Sequence, residues 1–397
     1  MRFRRVTEGA LICLLLALLA VGCGSVATRK GFYEPITTDL QAGKYTEAAK
    51  GIEQAREKGK YDKKDRLLYY LDGGFAWYYA DQPDSSIQRL LEADRASEEL
   101  FTRSISKAAM SVVLNDNALD YAGEDYEILY GNLINALNFL KLDNFDEAFV
   151  EIRRANLKLD LLEQKYADAA TEFRRQALQD SNKVDIDYEP EKVRFNNSAF
   201  ARYLSMHMYA ADGDPDNARL DQNLLVDAFL AQPHVYEFET PDVQYWARDG
   251  NTVLSVVALV GKSPVKEALN LRLRTDKDLD LVQILYDGPG KEDVEYGHIP
   301  MEVNADYYFK FAIPQLQDRP SQIQSVRVLI DGEPVGELQL LEDVGSVARE
   351  TFNAKKSLIY LRSVARAVVK GLAAHELKKD LDDGDVGGWL KKLAVDV

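Results

Sequence analysis

One short loop carries residue types that could bind phosphate. Gly261, Lys262 and Ser263 end like a phosphate-binding loop, in which the lysine contacts the phosphates and the hydroxyl binds magnesium. That motif also needs a glycine five residues before Gly261, where this chain has Val256. We therefore predict no nucleotide binding. Gly261, Lys262 and Pro264 stay as a candidate loop of some other ligand site.

A second pattern has the alternating acidic residues of a calcium loop. Asp212, Asp214 and Asp216 stand at the first, third and fifth positions of such a loop. However, Asn217 takes the position of the glycine that allows the sharp turn, and Asn223 takes that of the closing glutamate. A turn between two helices, capped by aspartate, is the better interpretation.

The remaining residues with catalytic potential form no pattern. The histidines fall in separate segments, without the spacing of a zinc site or a catalytic triad. They are His207, His234, His298 and His375. With 65 acidic residues, some pair of carboxylates always lies at a distance suited to glycoside cleavage, so such pairs carry no information. We predict no metal, no cofactor and no catalytic residues.

Both cysteines, Cys13 and Cys23, lie in the N-terminal apolar segment, so the rest of the chain has no disulfide and no cysteine metal site. The segment opens with arginines, continues with an apolar run over residues 10–21 and closes on Gly22 and Cys23. This run is too short to span a bilayer stably. It has the parts of a secretory signal, and an uncleaved signal anchor is the alternative.

The last four residues of this segment, Ala20-Val21-Gly22-Cys23, resemble the lipobox of bacterial lipoproteins, with Ala20 where leucine is commoner. The resemblance implies cleavage after residue 22 and a lipid on Cys23. Gly24 and Ser25 follow, where similar proteins kept in the inner membrane have aspartate. It therefore implies an anchor in the outer membrane, facing the periplasm. Several acyl chains make such attachment effectively permanent.

The chain is long and acidic. Its 397 residues exceed a typical domain of roughly 100 to 200 residues, which predicts two packed units with tails. Its formal net charge of -16 disfavours adsorption to nucleic acid or to anionic lipid over the surface as a whole. We therefore predict no nucleic-acid partner, and membrane attachment through the lipid on Cys23.

Residues 36–233 have helical periodicity, and a hairpin pattern recurs within them. In the best copy Ala136 lies on one helix, Asp143 and Asn144 form the turn, and Ala148 lies on the next helix. Small residues at these places let two antiparallel helices approach closely, as in tetratricopeptide repeats. The small residues of successive copies, Ala48, Ser86, Ala148 and Ala218, are 38, 62 and 70 residues apart.

Regular tetratricopeptide arrays repeat about every 34 residues, so extra helices must separate these copies. We predict a degenerate tetratricopeptide-like α-solenoid, with an irregular helical bundle as the alternative. Such a solenoid has a concave surface that binds a peptide or a helix of another protein. The candidate groove residues are Tyr70, Tyr78, Tyr126 and Tyr130. Helix packing explains tyrosines at these positions equally well.

Residues 234–342 change to short β-branched and alternating runs between Gly, Pro and Asp, which predicts a small antiparallel β-sandwich-like domain. The predicted strands are Thr252–Val260, Ala268–Leu273, Asp280–Tyr286, Tyr307–Ile313 and Ser325–Ile330. Asp331 and Gly332 predict a two-residue hairpin turn between Val326–Ile330 and Val335–Leu340. The fold class is therefore α+β.

Residues 343–379 return to helical periodicity and form a basic C-terminal segment. Arg362, Arg366 and Lys370 are four residues apart, so they share one helix face. This basic face could pack on the acidic body, or it could contact anionic lipid or a partner. We expect residues 380–397 to form a mobile tail.

Three segments together resemble a poorly characterised family of tetratricopeptide-containing bacterial outer-membrane lipoproteins. They are Asn138-Phe139-Leu140 through Arg153-Arg154-Ala155, Gly261 to Lys266, and Ala365-Arg366-Ala367. We divide the chain into a signal (1–22), an anchor and linker (23–35), a helical domain (36–233), a β-rich domain (234–342), C-terminal helices (343–379) and the tail. We predict a non-enzymatic, membrane-anchored scaffold for an envelope protein or peptide. The alternative is a binder or hydrolase of cell-wall carbohydrate that uses the β-rich domain.

Overall fold

The structure is a computed structural model of the chain. It describes residues 30–110, 120–177, 194–244, 252–279, 281–288, 294–300, 306, 308–353, 356, 359 and 363. Its contacts divide the chain into two compact units, with described residues 30–104 and 120–123 in the first and the others in the second. The division lies inside the predicted helical domain 36–233, because the later helices bond to segments that follow residue 233.

The fold is α+β, with most of the helices preceding the strands. The first helices are α1 (Tyr33–Gln41), α2 (Tyr45–Glu57), α3 (Arg66–Tyr79) and α4 (Pro83–Met110), with short 3-10 turns at Lys30–Phe32 and Lys63–Asp65. The next are α5 (Asp125–Lys141), α6 (Phe145–Ala177), α7 (Ala199–Ala211) and α8 (Pro215–Ala231). Residues 344–353 form a further helical segment after the strands.

Consecutive helices form four hairpins, α1–α2, α3–α4, α5–α6 and α7–α8, and all four use the same turn. Each turn has one residue in the left-handed region: Gly43, Asp81, Asp143 and Gly213, with φ of 73°, 55°, 57° and 78°. In the first hairpin the amide of Lys44 donates to the carbonyl of Asp39 at 2.8 Å, and that of Gly43 to Leu40 at 3.2 Å. The same two bonds recur in the other three. This pattern satisfies the last carbonyls of a helix while reversing the chain.

The start of each second helix is packed closely against the first. Five residues after each left-handed residue stands a small side chain with no exposed surface: Ala48, Ser86, Ala148 and Ala218. In the α3–α4 hairpin the Ser86 hydroxyl donates to the carbonyl of Gly74 at 2.7 Å. The sequence prediction of close helix pairs at these four places is confirmed.

In the part of the chain that the structure describes, six strands follow the helices, all within the second unit. They are β1 (Val265–Asp276), β2 (Leu281–Tyr286), β3 (Glu295–Pro300), β4 (Tyr308–Gln317), β5 (Arg327–Ile330) and β6 (Glu333–Glu337). The first four form one antiparallel sheet in the order β3-β2-β1-β4. One face of this sheet is apolar and buried, because Leu271 and Leu273 of β1 lie beside Ile284 of β2 and near Ile313 of β4. The sequence patterns located β1, β2 and β4 but not β3.

The predicted hairpin at Asp331 and Gly332 is confirmed. Both residues have positive φ, 51° and 87°, as a two-residue hairpin turn with right-handed strand twist requires. They join β5 to β6, which form a separate two-stranded sheet.

The predicted strand Thr252–Val260 is wrong. These nine residues form no strand, and all of them are exposed. The β-branched pattern was right for a strand, but a strand also needs a neighbour, and within the described residues none pairs with this segment. The segment ends at Gly261, which has a φ of 85° and lies beside Ser321.

The close approach of α3 and α4 is testable by substitution at Gly74. A β-carbon there would lie 2.5 Å from Cδ2 and 2.7 Å from Cγ of Leu90. We expect Gly74→Ala to lower the free energy of unfolding by about 1 to 3 kcal/mol, because the helices must move apart. Denaturant unfolding followed by circular dichroism measures the change.

The adjacent Gly73 provides the control for this substitution. A β-carbon at Gly73 meets only the flexible side chain of Arg89, at 3.5 Å. Gly73→Ala should therefore leave stability unchanged or raise it by about 0.5 to 1 kcal/mol through helix propensity. Equal effects of the two substitutions would contradict the close contact.

Candidate functional site

Among the described residues of the second unit, the carboxylate of Glu342 accepts an unusually large number of hydrogen bonds. It is partly buried and accepts hydrogen bonds from three side chains. The hydroxyls of Tyr130 and Tyr236 each donate at 2.7 Å, to Oε1 and Oε2 respectively. The Ser198 hydroxyl lies 2.9 and 3.0 Å from the two oxygens. The backbone amide of Phe200 completes the set at 3.3 Å.

Local structure places each of these donors. Tyr130 lies on α5, Ser198 is the N-cap of α7, and Tyr236 follows α8. The carboxylate therefore lies at the N-terminus of α7, where unpaired amides and the helix dipole favour negative charge. The Ser198 hydroxyl also accepts from the amide of Ala201 at 3.1 Å, which caps the helix.

Opposing effects act on the protonation of Glu342. Burial raises the pKa of its carboxyl above the ordinary value, and the bonds from Tyr130, Tyr236, Ser198 and Phe200 offset only part of that rise. Burial also raises the pKa values of Tyr130 and Tyr236, and the neighbouring Glu342 raises them further. These tyrosines therefore stay protonated and act as donors.

A carboxylate beside a serine hydroxyl has the residue types of a nucleophilic site, but access decides against that role. Ser198 has no exposed surface, Tyr236 is 4% exposed and Tyr130 is 9% exposed. Glu342 therefore connects parts of the fold, and it gives a substrate no route to the hydroxyl. Nothing in the sequence singled it out, because its partners are 212, 144 and 106 residues away.

In the first unit, a charged and aromatic cluster is built around Glu53 of α2. The carboxylate accepts from the Tyr69 hydroxyl at 2.6 Å and from the Trp77 indole at 3.1 Å, and it pairs with Arg89 through two bonds of 3.1 Å. The guanidinium groups of Arg56 and Arg89 lie 5.2 and 5.3 Å from the Tyr69 ring centre. Such contacts hold α2, α3 and α4 together.

The four candidate groove tyrosines have different environments. Tyr126 and Tyr130 are buried, at 7% and 9% exposure, so they do not line an accessible groove. Tyr70 is partly buried and packs against the core around α1 and α2. Tyr78 is half-buried on α3 beside Tyr79, and burial raises its pKa to about 12. Of the four, Tyr70 and Tyr78 are only partly buried.

A buried polar seam joins α5 and α6 in the second unit. Glu151 is 1% exposed; it accepts from the Asn132 amide at 2.8 Å and from the Arg154 guanidinium at 2.7 Å. Lys158 donates to the carbonyl oxygen of the Asn132 side chain at 3.1 Å. This charged network between α5 and α6 adds to the close packing at the small residues and fixes how the two helices pair.

The candidate loop at Gly261 is a structural junction. Pro264 is buried, Lys262 is exposed, and the carbonyl of Ser263 accepts from Arg319 at 2.7 Å. Lys266 forms an ion pair of 2.5 Å with Glu124 at the start of α5. The loop therefore fixes the end of β1, and its polar groups do not converge on one point.

Asp214 is the N-cap of α8, accepting from the amide of Asn217 at 3.1 Å, which confirms the capping interpretation of the alternating aspartates. Those bonds hold the pKa of Asp214 below its usual value. In the described ranges, no three His, Cys, Asp or Glu side chains cluster as a metal site requires. Cys23, Arg362, Arg366 and Lys370 lie outside the described residues.

Comparison with known proteins finds no matching family model, no similar curated protein and no similar solved structure. Among the described helices, none is long and apolar enough to cross a bilayer.

The balance at Glu342 predicts a particular pH dependence. Because its folded pKa is raised, the folded chain binds this proton more tightly than the unfolded chain above about pH 4.3. The contribution of Glu342 to stability is therefore full below that pH and falls as the pH rises through the folded pKa. Glu342→Gln cannot titrate, so the unfolding free energy of wild type minus that of the variant should decrease as the pH rises above about 4 and then level off.

Urea unfolding at several pH values measures this difference. Glu337→Gln, at an exposed position of β6, controls for the loss of one carboxylate. If this difference in unfolding free energy increased with pH, the hydrogen-bond donors would lower the pKa of Glu342 by more than burial raises it, which would contradict the prediction.

Proposed function

We propose that this protein is a lipid-anchored scaffold of the bacterial envelope, whose helix hairpins bind a protein or peptide partner. The observation that carries the proposal is the hairpin repeated four times with one turn geometry and one fully buried small residue. A unit repeated in this way serves to build an extended surface more often than a single reactive centre. The finer architecture, a tetratricopeptide-like solenoid followed by a β-sandwich-like domain, is part of the proposal.

Several features favour α3 as the partner-binding helix. It is the first helix of its hairpin, and the first helices of such repeats line the concave surface. Tyr78 of α3 is half-buried beside Tyr79, and aromatic residues are frequent at the centres of interfaces. The chain's net charge of -16 favours a partner segment with basic residues.

The anchor belongs to the same proposal. The cationic start, the short apolar run and the residues Ala20-Val21-Gly22-Cys23 support a lipid on Cys23 at the periplasmic face of the outer membrane. A scaffold fixed in this way keeps its partner within reach of the membrane, which raises the effective concentration of the pair.

Substitution of Cys23 tests the anchor. We expect Cys23→Ser to accumulate as an unprocessed precursor without lipid, because the thiol is the group that carries the acyl chains. Mass spectrometry of the purified full chain and partition into detergent measure both effects. Cys13→Ser removes the other cysteine and should leave processing unchanged. Normal maturation and lipid labelling of Cys23→Ser would contradict the proposal.

Capture from the native envelope tests the scaffold. The tagged full chain, crosslinked reversibly in cells, should recover one defined envelope protein. Tyr78→Ala should reduce recovery by about tenfold, as expected for an aromatic residue at an interface centre. Tyr308→Ala, at an exposed tyrosine of β4, is the control and should leave recovery unchanged. Failure to enrich any protein reproducibly, or equal recovery with both variants, would contradict a partner at α3.

A further inference from the structure

Segment 252–260 is unusual among the described parts of the second unit. It carries six large apolar side chains with 39% to 72% of their surface exposed: Val253, Leu254, Val256, Val257, Leu259 and Val260. It contains no charged residue. Its only bond between side chains that the structure shows joins Ser255 to the Tyr203 hydroxyl at 2.7 Å.

The β5–β6 hairpin has a related property. Its strands form a sheet of two, and most of their residues are exposed, including Leu329 at 58%, Ile330 at 51% and Val335 at 57%. A two-stranded hairpin is at best marginally stable in water without further strands or a covering surface. The hairpin therefore has free energy to gain from another strand.

The segment and the hairpin leave the main sheet at the same place. The segment 252–260 leads into β1, and β5 follows β4, the strand paired with β1. A β-carbon on Gly261 would lie 3.2 Å from that of Ser321, and Arg319 bonds to the carbonyl of Ser263, so the two exits are held side by side. Beyond this junction the β1–β4 ladder stops, and the two chain segments continue without pairing to each other.

We propose that segment 252–260 adds as a strand to the open edge of β5 in a second copy of this chain. Every copy carries both segment 252–260 and the edge of β5 that faces away from β6. A second copy therefore supplies a partner strand for each of them. The edge of β6 is less suitable because Pro334 has no N–H to donate to a neighbouring strand. β5 contains no proline.

Charge also favours a second copy at this contact. Two copies with a net charge of -16 each repel one another over most of their surfaces. The segment is uncharged, and β5 carries only Arg327, so the two can meet here without like-charge repulsion between them. Insertion of the segment into lipid is disfavoured, because an unpaired extended backbone cannot satisfy its amides and carbonyls in hydrocarbon.

A matched pair of substitutions tests the association. Two differently tagged full chains are expressed together and purified in detergent, and one tag is used to recover the other chain. Leu254 in the segment and Leu230 on α8 are both 72% exposed. Leu254→Glu should reduce recovery of the second copy by about tenfold or more, since a charge would be buried at the contact. Leu230→Glu should leave it unchanged.

Cysteine pairs test which strands meet. One tagged copy carries a cysteine at residue 254, 255 or 256, and the other carries one at residue 327 or 328. A disulfide between copies that appears on oxidation only in mixtures of the two sets supports pairing with β5, since the two Cα atoms must approach to about 4.4–6.8 Å. Crosslinking of the segment set with itself, or the absence of any crosslink, would overturn the assignment to β5. Recovery that is absent in wild type, or unchanged by Leu254→Glu, would overturn the association itself.

Discussion

The carboxylate of Glu342 imposes the strongest constraint on the second unit. Burying a carboxylate costs several kcal/mol unless hydrogen bonds replace its water. Those bonds come from α5 through Tyr130, from the start of α7 through Ser198 and Phe200, and from the segment after α8 through Tyr236. Loss of any one of these segments would leave the others with a charge that lacks part of its donors. One side chain thus connects the helices of this unit to the segment after the strands.

The helix hairpins rest on a different and local principle. A left-handed residue closes each turn, and a small residue five positions later lets the helices meet. At Asp81 and Asp143 the left-handed position is occupied by aspartate, which tolerates that conformation better than most residues. Gly74 shows how tight the contact is, since no side chain fits between its Cα and Leu90. The left-handed turn residue and the small residue five positions later can both be recognised within about a dozen residues of sequence.

The hairpins depend on residues close in sequence, whereas Glu342 binds residues more than 100 positions away. This difference in sequence separation explains what the sequence could predict. The four hairpins and the turn at Asp331 and Gly332 follow from local patterns, and the sequence located them. The sequence places Glu342 only at the end of the predicted β-rich domain, because no local pattern connects it to Tyr130, 212 residues away. Tyr126 and Tyr130 looked suitable for a groove for the same reason: periodicity identifies a helix face but does not tell what covers it. Contacts such as that of Lys266 with Glu124 join segments that the sequence assigned to separate predicted domains, and no local pattern announces them.

Segment 252–260 shows where propensity and structure separate. Its alternating β-branched residues favour an extended backbone, yet a strand is defined by its neighbour, and among the described residues none pairs with this segment. Exposed apolar edges of this kind are a liability that proteins usually remove by charge, by proline or by cover. β6 contains one proline, Pro334, and two charged residues, Glu333 and Glu337. Segment 252–260, by contrast, has no charged residue and no proline. The edge of β6 is thus protected against pairing, and segment 252–260 is not. Pairing of the segment with another strand would therefore lower its free energy.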